Sequence, residues 1–340
     1  MTRITKAMTR QYVLDLMRRY QLNASKALGQ RFLINDAYLD LAVEACELDK
    51  QTLAIEIGAG IGNLTSRLAE RAGQVLSIEL DESFRKLHVK IARSWGNITF
   101  YYGDALDMDW DGEDAEALLA PVRRPPCVGE DGQVEGAANA GGAQGDRPDA
   151  TAPTTSPEGP WERIVVAGNI PYQISGPLLN ALIRSPLPWR RVALMTQLEV
   201  AQRVCAGPDS NKIYGALSLK RSLVAEARIL AEVGPENFLP SPQVRSAIVA
   251  LERKTSCPLA DRQDVLRFFR MCDGLFAYRR KQAPNSLTRT SALGLSREQW
   301  LAVFDRAGFD PSRRGETFDL EEALRLYQTA RNLRPGEKNQ

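Results

Sequence analysis

Apolar residues recur along the chain with two different periods, which predict strands and helices in turn. Short apolar runs typical of buried strands lie at residues 53–57, 74–80, 97–102, 164–167 and 192–196. Helical spacing of apolar residues is found at residues 10–20, 36–47, 64–72 and 178–183. Because strands and helices alternate in this way, the sequence predicts an α/β fold with a doubly wound, Rossmann-like parallel sheet.

The later part of the chain has a different pattern. Residues 223–233 and 246–251 are strand-like with no long helical segment between them, so we expect them to pair as a hairpin at the end of the sheet. Beyond Asp261 the apolar spacing is helical, and Gly308 and Pro311 mark turns between helices. The sequence therefore predicts a small all-α C-terminal domain.

Residues 110–160 interrupt the alternation of strands and helices. They are rich in Gly, Ala, Pro, Asp and Thr and carry few large apolar side chains, which predicts a disordered acidic insertion between the third and fourth strands. Around this insertion we expect three regions. They are a basic N-terminal arm at residues 1–24, the α/β domain at 25–254 and the helical domain at 255–335.

The net charge of +2 hides an uneven distribution along the chain. Residues 107–160 carry a net charge of −9, which leaves +11 for the remainder. A remainder this basic favours a polyanionic partner such as a nucleic acid. Lysines and arginines that only solvate the surface would give the same charge, so charge alone leaves both interpretations open.

Several classes of protein are disfavoured by what the sequence lacks. The sequence contains no run of eighteen apolar residues, so no membrane span is predicted. The N-terminal segment does not resemble a secretory signal. The five cysteines are scattered without a C-x-x-C pair, so neither a metal site nor a disulfide framework is expected. These features predict a reduced, cytoplasmic protein without a membrane association.

The first candidate site is a glycine-rich turn after the first predicted strand. Residues 56–63 read Glu-Ile-Gly-Ala-Gly-Ile-Gly-Asn, in which Gly58 and its neighbouring glycines let a ligand approach the backbone at a helix N-terminus. Glu79 ends the next strand, where a carboxylate can accept hydrogen bonds from ribose hydroxyls, and Asp104 follows the third. The glycine spacing differs from that of dinucleotide-binding dehydrogenases. A purely structural turn remains an alternative.

The second candidate site is Asn169-Ile170-Pro171-Tyr172, which follows the fourth predicted strand. The Asn169 side-chain carbonyl and the backbone carbonyl of Ile170 could accept both hydrogens of an aromatic amine and so redirect its lone pair. Pro171 stiffens the loop, and Tyr172 offers a face on which a base could stack. Catalysis at such a site would rest on positioning and electrostatics. An ordinary turn is the alternative for this motif taken alone.

Three further features complete the candidate residues. Residues 238–246 form a loop stiffened by prolines, in which Phe238 could cover the other face of a base or could instead plug the hairpin. Arg279, Arg280 and Lys281 suit contacts with phosphates, although a solvated helix end would look the same. His88, the single histidine, is interpreted as a solvated helical residue.

At these motifs the sequence resembles the ribosomal RNA adenine dimethyltransferases, from about Ala24 to about Leu287 outside the insertion. Residues 26–33, Lys-Ala-Leu-Gly-Gln-Arg-Phe-Leu, are similar to the N-terminal cofactor motif of that family. The loops at 169–172 and 238–246 are similar to its catalytic and late loops. Residues 276–287 resemble the small-subunit enzymes more than the resistance methylases.

The resemblance implies a function and a set of site residues. The cofactor would be S-adenosylmethionine, which the family binds at the positions of Arg31, Leu33, Gly58, Glu79, Asp104 and Asn169. The substrate would be adenine N6 of 16S rRNA within the small ribosomal subunit, and the protein would act as a monomer. Residues 25–254 would form the catalytic domain and 255–335 a domain that binds RNA or the ribosome.

Three positions depart from the pattern of the family. Arg31 stands where Asn or His is usual, Leu198 where bacterial relatives often have Lys, and Ala216 where Arg is common. These departures concern the details of RNA contact rather than the chemistry.

Three other functions remain open at this point. They are a resistance-type methylase of the large subunit, an RNA-binding assembly factor that has lost catalysis, and a nicotinamide-dependent oxidoreductase. The complete loop at 169–172 disfavours the assembly factor, and the glycine spacing disfavours the oxidoreductase.

Overall fold

The computed structural model describes residues 9–108, 110, 161, 163–259 and 261–333. The predicted insertion lies almost entirely outside these residues. Within them the strands are β1 (Phe32–Leu33), β2 (Thr52–Ile57), β3 (Gln74–Glu79), β4 (Ile98–Tyr102), β5 (Arg163–Asn169), β6 (Trp189–Gln197), β7 (Ala225–Val233), β8 (Phe238–Leu239) and β9 (Ser246–Arg253).

Seven of these strands form one mixed sheet in the order β4-β3-β2-β5-β6-β9-β7. The five strands from β4 to β6 run parallel, whereas β9 is antiparallel to both of its neighbours. All six side chains of β2 are buried, as expected when helices cover both faces of a parallel sheet. The predicted doubly wound Rossmann-like sheet is therefore confirmed.

The predicted pairing at the end of the sheet is confirmed, with two differences in detail. β7 and β9 pair antiparallel, but β9 lies between β6 and β7 instead of extending the sheet edge. The predicted strand also began too early, because residues 223 and 224 end a helix. The small strands β1 and β8 pair separately, with Leu33 opposite Phe238.

The helices around the sheet include all of the predicted ones. They are α1 (Arg10–Tyr20), α2 (Asp36–Glu44), α3 (Asn63–Arg71), α4 (Arg85–Trp95), α5 (Tyr172–Arg184), α6 (Leu198–Cys205) and α7 (Ala216–Val224), of which α6 and α7 were not predicted. α2 ends before residue 47, where the backbone of Glu47 takes a positive φ of 47°. α1 begins where the Thr9 side chain accepts a hydrogen bond from the Tyr12 amide, a common N-cap.

The C-terminal region is helical, as predicted, and contains α8 (Arg262–Ala277), α9 (Ala283–Arg289), α10 (Arg297–Arg306) and α11 (Leu320–Asn332). Ser296 and Asp319 begin the last two helices with reciprocal capping boxes. Gly308 takes a positive φ of 69° after α10. The predicted helices are thus confirmed, while their status as a separate domain stays a prediction.

Two apolar cores lie on opposite faces of the sheet because successive side chains of a strand point to opposite faces. Leu53 and Ile55 belong to one core, which continues without a break into the helices after Asp261. Ala54 belongs to the other core, together with apolar residues of α1, α2, α3 and α4. The carboxyl ends of the parallel strands remain at one edge between these layers, where ligands bind in open α/β sheets.

Candidate active site

A glycine turn joins β2 to α3 at the carboxyl edge of the sheet. Gly58, Gly60 and Gly62 have φ values of 82°, 52° and 77°, a region that side chains with a Cβ rarely adopt. At Gly62 a Cβ would also lie 2.3 Å from Cδ1 of Ile91. The backbone can therefore come close to a ligand at this turn, as the sequence predicts.

Glu79 ends β3 beside this turn and is 7% exposed. Its carboxylate accepts the amide hydrogens of Gly60 at 2.7 Å and of Asp81 at 2.9 Å. Burial is the main influence on this group and raises its pKa above 4.5. Each carboxylate oxygen has more than one lone pair, so both can accept a further hydrogen bond from a ligand.

The loop from Asn169 to Tyr172 leads from β5 into α5. The side-chain amide of Asn169 donates to the backbone oxygen of Arg31 at 2.6 Å, which leaves Oδ1 as an acceptor. The amide of Ile170 donates to the Met195 oxygen on β6 at 3.3 Å. The Tyr172 hydroxyl lies 2.6 Å from Oγ of Ser246 at the start of β9. Neighbouring strands therefore hold the loop at both ends.

These segments enclose a cavity of about 200 Å³. Its walls come from residues 27–32, 57–60, 63–64, 78–80, 103–105 and 169–174. The turn, the acidic strand ends and the Asn169 loop thus face one space, although they are far apart in the sequence.

Most of the predicted site residues lie on the wall of this cavity. They are Arg31, Gly58, Glu79, Asp104, Asn169, Ile170, Pro171 and Tyr172. Leu33 and Phe238 are not among the residues that line it; each is 2% exposed, and they are paired neighbours on β1 and β8. The ring of Phe238 packs in the core between the sheet and helices α1 to α4.

Arg31 connects the cavity to the late loop. Its guanidinium donates to the backbone oxygens of Ser241 at 3.2 Å and Pro240 at 3.4 Å. Its own backbone oxygen accepts from Asn169. Arg31, one of the three residues that depart from the family pattern, therefore contacts both loops predicted to contact the target base.

The three residues predicted to contact phosphates, Arg279, Arg280 and Lys281, follow α8 and are exposed. Arg279 forms an ion pair with Glu316 at 3.0 Å and also donates to the Tyr214 backbone oxygen. Within the described part of the chain, no ion pair involves Arg280 or Lys281. Those two residues keep more of their charge available to an external partner than Arg279 does.

Two titratable residues near the site, His88 and Glu56, are buried. His88 is 1% exposed, so its interpretation as a solvated residue is wrong. The signal was present, because His88 falls on the apolar face of α4 at helical spacing from Phe84, Leu87 and Ile91. Glu56 is fully buried and accepts hydrogen bonds from the hydroxyls of Thr65 and Ser77, and burial raises its pKa to about 8.

The residues that the structure describes contain no group of three or more His, Cys, Asp or Glu side chains able to hold a metal ion. No helix in this part of the chain has both the length and the hydropathy of a membrane span.

The sheet order and the glycine turn define a Rossmann-like fold. The family model described as ribosomal RNA adenine dimethylase matches residues 21–325. The chain belongs to this family.

Individual relatives agree with this assignment. The ribosomal RNA small subunit methyltransferase A of Pelotomaculum thermopropionicum is 35% identical over 310 residues, which cover 91% of this chain and 92% of that protein. A dimethyladenosine transferase from Plasmodium falciparum has a similar structure, with a TM-score of 0.61, 21% identity and coverage of 86% and 94% of the two chains. The 23S rRNA methyltransferase ErmE also has a similar structure, with a TM-score of 0.57 and 23% identity. The match covers 88% of this chain and 99% of that chain. At these identities the two structures support the fold alone.

Proposed function

We propose that this protein transfers methyl groups from S-adenosylmethionine to the N6 amine of adenines in small-subunit rRNA, twice on each target adenine. One observation carries the proposal. The cavity that contains the glycine turn and Glu79 also contains Asn169, whose Oδ1 is left as an acceptor. A cofactor and a target amine would therefore meet in one cavity.

The residues of the cavity fit S-adenosylmethionine. Glu79 retains lone pairs for ribose hydroxyls after binding two backbone amides, and Asp104 lies on the wall where an adenine amine would be recognised. Gly58 allows close approach of the ligand, with a backbone φ that a Cβ would strain. The resemblance also assigns cofactor contacts to Arg31 and Leu33, of which Arg31 lines the cavity. When bound, the sulfonium supplies an electrophilic methyl group.

The target amine would be oriented by two carbonyl oxygens. The lone pair of an aromatic amine is delocalised into the ring, so the free amine is a weak nucleophile. Oδ1 of Asn169 and the backbone oxygen of Ile170 would accept its two hydrogens and favour a pyramidal nitrogen. The amide of Asn169 is fixed through Arg31, so this geometry exists before the substrate binds.

The target base would stack on the ring of Tyr172, which lines the cavity. The Tyr172 hydroxyl is fixed by Ser246, which holds the ring in place. Phe238 remains a candidate for the opposite face of the base. Its ring is buried here, so that role requires the late loop to rearrange when RNA binds.

The choice of small-subunit rRNA rests on the family and on its named relatives. The relative from Pelotomaculum is named a small subunit methyltransferase, and it covers nearly the whole chain. Exposed Arg280 and Lys281 would contact phosphates of the RNA. We propose that the protein works as a monomer in the cytoplasm, and that residues 255–335 are the part that binds RNA or the ribosome.

A direct assay tests the proposal. Purified protein would be incubated with methyl-labelled S-adenosylmethionine and, separately, with small ribosomal subunits, large subunits and naked rRNA from a strain that lacks this protein. We expect label in small-subunit rRNA, recovered after digestion as N6,N6-dimethyladenosine. Label in large subunits alone would support a resistance-type methylase. Cofactor binding without any transfer would support an assembly factor.

A further inference from the structure

His88 lies behind the glycine turn and does not line the cavity. Its ring stacks on Phe100 with centroids 4.1 Å apart and planes 3° apart, and on Phe84 at 5.8 Å. An imidazole buried between aromatic rings gains packing, but each of its nitrogens then needs a hydrogen-bond partner. The two partners of His88 are therefore informative.

Both ring nitrogens of His88 have a partner with a defined role. Nε2 lies 2.8 Å from the backbone oxygen of Gly60, which can only accept, so Nε2 carries the proton. Nδ1 lies 2.8 Å from the Tyr102 hydroxyl and must accept from it. The Tyr102 ring is in turn covered by the guanidinium of Arg85 at 4.1 Å. These contacts select one neutral tautomer and one ring orientation.

Gly60 is consequently held on both sides. Its amide donates to Glu79 at 2.7 Å, and its carbonyl accepts from His88. Its φ of 52° is left-handed, and a Cβ there would lie 3.2 Å from the ring of Phe32. The turn therefore keeps this conformation through two side chains from outside it, of which Glu79 is also the proposed ribose ligand.

We propose that His88 is a positioning residue for cofactor binding, which fixes the Gly60 carbonyl and thereby sets the glycine turn and Glu79 in the geometry that the cofactor requires. This inference rests on the proposed function, namely that the turn holds S-adenosylmethionine. His88 itself does not touch the cofactor. Tyr102 assists by fixing the tautomer that donates.

Three variants separate the hydrogen bond from the packing. His88→Phe keeps an aromatic ring between Phe100 and Phe84 but removes the donor to Gly60. His88→Gln places an amide N–H where Nε2–H was and is the rescue variant. Tyr102→Phe removes the hydrogen bond that selects the tautomer. Trp300→Leu, in the core that continues into the C-terminal helices, is the control for a general loss of stability.

The readouts are calorimetric affinity for S-adenosylmethionine, the KM for cofactor and for RNA, and the melting temperature. We expect His88→Phe to weaken cofactor binding by about tenfold, the scale of one unpaired buried acceptor, and to raise the KM for cofactor alike. The KM for RNA should not change. His88→Gln should recover most of the affinity, and Tyr102→Phe should lose less than His88→Phe.

Each outcome decides a different question. If the wild-type protein binds no S-adenosylmethionine, the proposed function fails. If the wild type binds it and His88→Phe binds equally well, only the positioning role is overturned. It is also overturned if affinity falls in Trp300→Leu as much as in His88→Phe, or if His88→Gln recovers none of it. Loss in His88→Phe with recovery in His88→Gln, at unchanged affinity in Trp300→Leu, supports it.

Discussion

Polar side chains have opposite environments in two regions of the molecule. One region is the carboxyl edge of the sheet, which lines the cavity, and the other is the surface at residues 279–281, after α8. At the sheet edge, Glu79, His88 and Asn169 each bind a backbone group. Glu79 and His88 are 7% and 1% exposed. After α8, Arg280 and Lys281 are exposed and form no ion pair with any described residue.

This difference agrees with the role that we propose for each region. A buried polar group is costly unless it is paired, and a paired one is fixed in position, which suits chemistry that depends on geometry. An exposed cation is mobile and screened, and contributes little to stability, but it remains available to phosphates. We therefore expect substitutions at the sheet edge to affect affinity and turnover strongly, and those after α8 to change mainly the salt dependence.

The largest effect is expected at Asn169. Asn169→Ala removes the acceptor for the target amine and should lower turnover by about 10²–10³, the scale of one lost preorganised group. Affinity for S-adenosylmethionine should stay within a few-fold. Asn169→Asp keeps an acceptor but loses the donor to the Arg31 oxygen, and should retain more turnover than Asn169→Ala. Single-turnover methyl transfer measures the rate in both variants. Near-normal turnover in Asn169→Ala would contradict the assignment of the loop.

The second largest effect is expected in the pH dependence of the free energy of unfolding. Burial lowers the pKa of His88 from 6.5 to about 4. Between these values the unfolded chain binds a proton that the folded protein does not, so the free energy of unfolding falls as pH falls from 6.5 to 4. The loss should be ~3 kcal/mol.

The variant His88→Gln isolates this contribution. Glu56, whose pKa is raised to about 8, gives the opposite slope, losing stability as pH rises from 4.5 to 8, but it does so in both proteins. We therefore expect the difference in unfolding free energy between wild type and variant to change between pH 7 and pH 4.5 in urea titrations. Parallel curves would show that His88 does not titrate as described.

The sheet edge was largely predictable from the sequence, because local patterns determine it. A buried strand followed by glycines and a helix predicts the turn, and acidic residues at strand ends predict Glu79 and Asp104. All strands of the parallel part were found within a few residues of their bounds. The roles of these residues nevertheless stay predictions until the variants are measured.

What the sequence did not reveal depends on contacts between distant residues. The place of β9 between β6 and β7 is set by pairing across the sheet, which periodicity does not encode. The burial of Phe238 follows from its pairing with Leu33, and the ion pair of Arg279 from Glu316 on another segment. The burial of His88 could be inferred from its place on the apolar face of α4, but its hydrogen-bond partners, Gly60 and Tyr102, come from other segments.

The third effect is on cofactor affinity through Glu79. Glu79→Ala removes the proposed ribose acceptor and leaves the amides of Gly60 and Asp81 without it, so binding of S-adenosylmethionine should weaken by about 1–3 kcal/mol. Glu82→Ala is the matched control, because Glu82 is a nearby exposed acid that forms an ion pair with Arg85 and does not line the cavity. Calorimetry should show the loss in Glu79→Ala alone. Equal affinities in the two variants would exclude the ribose assignment.

The smallest effect is expected after α8, where the substitutions remove only exposed charges. Arg280→Gln combined with Lys281→Gln should lower the slope of log affinity for RNA against log salt by about 1.4–1.8, since each lost phosphate contact lowers it by about 0.7–0.9. Adding Arg279→Gln should lower it by less than one further contact, because Glu316 already neutralises part of that charge.

Lys90→Gln with Arg93→Gln, two exposed cations on α4, is the control and should leave the slope unchanged. Affinity for S-adenosylmethionine should be normal in all of these proteins, since none of the five residues lines the cavity. An equal change of slope in the α4 control would mean that RNA responds to the total charge of the protein, and the distinction between the two regions would then hold for the cofactor but not for RNA.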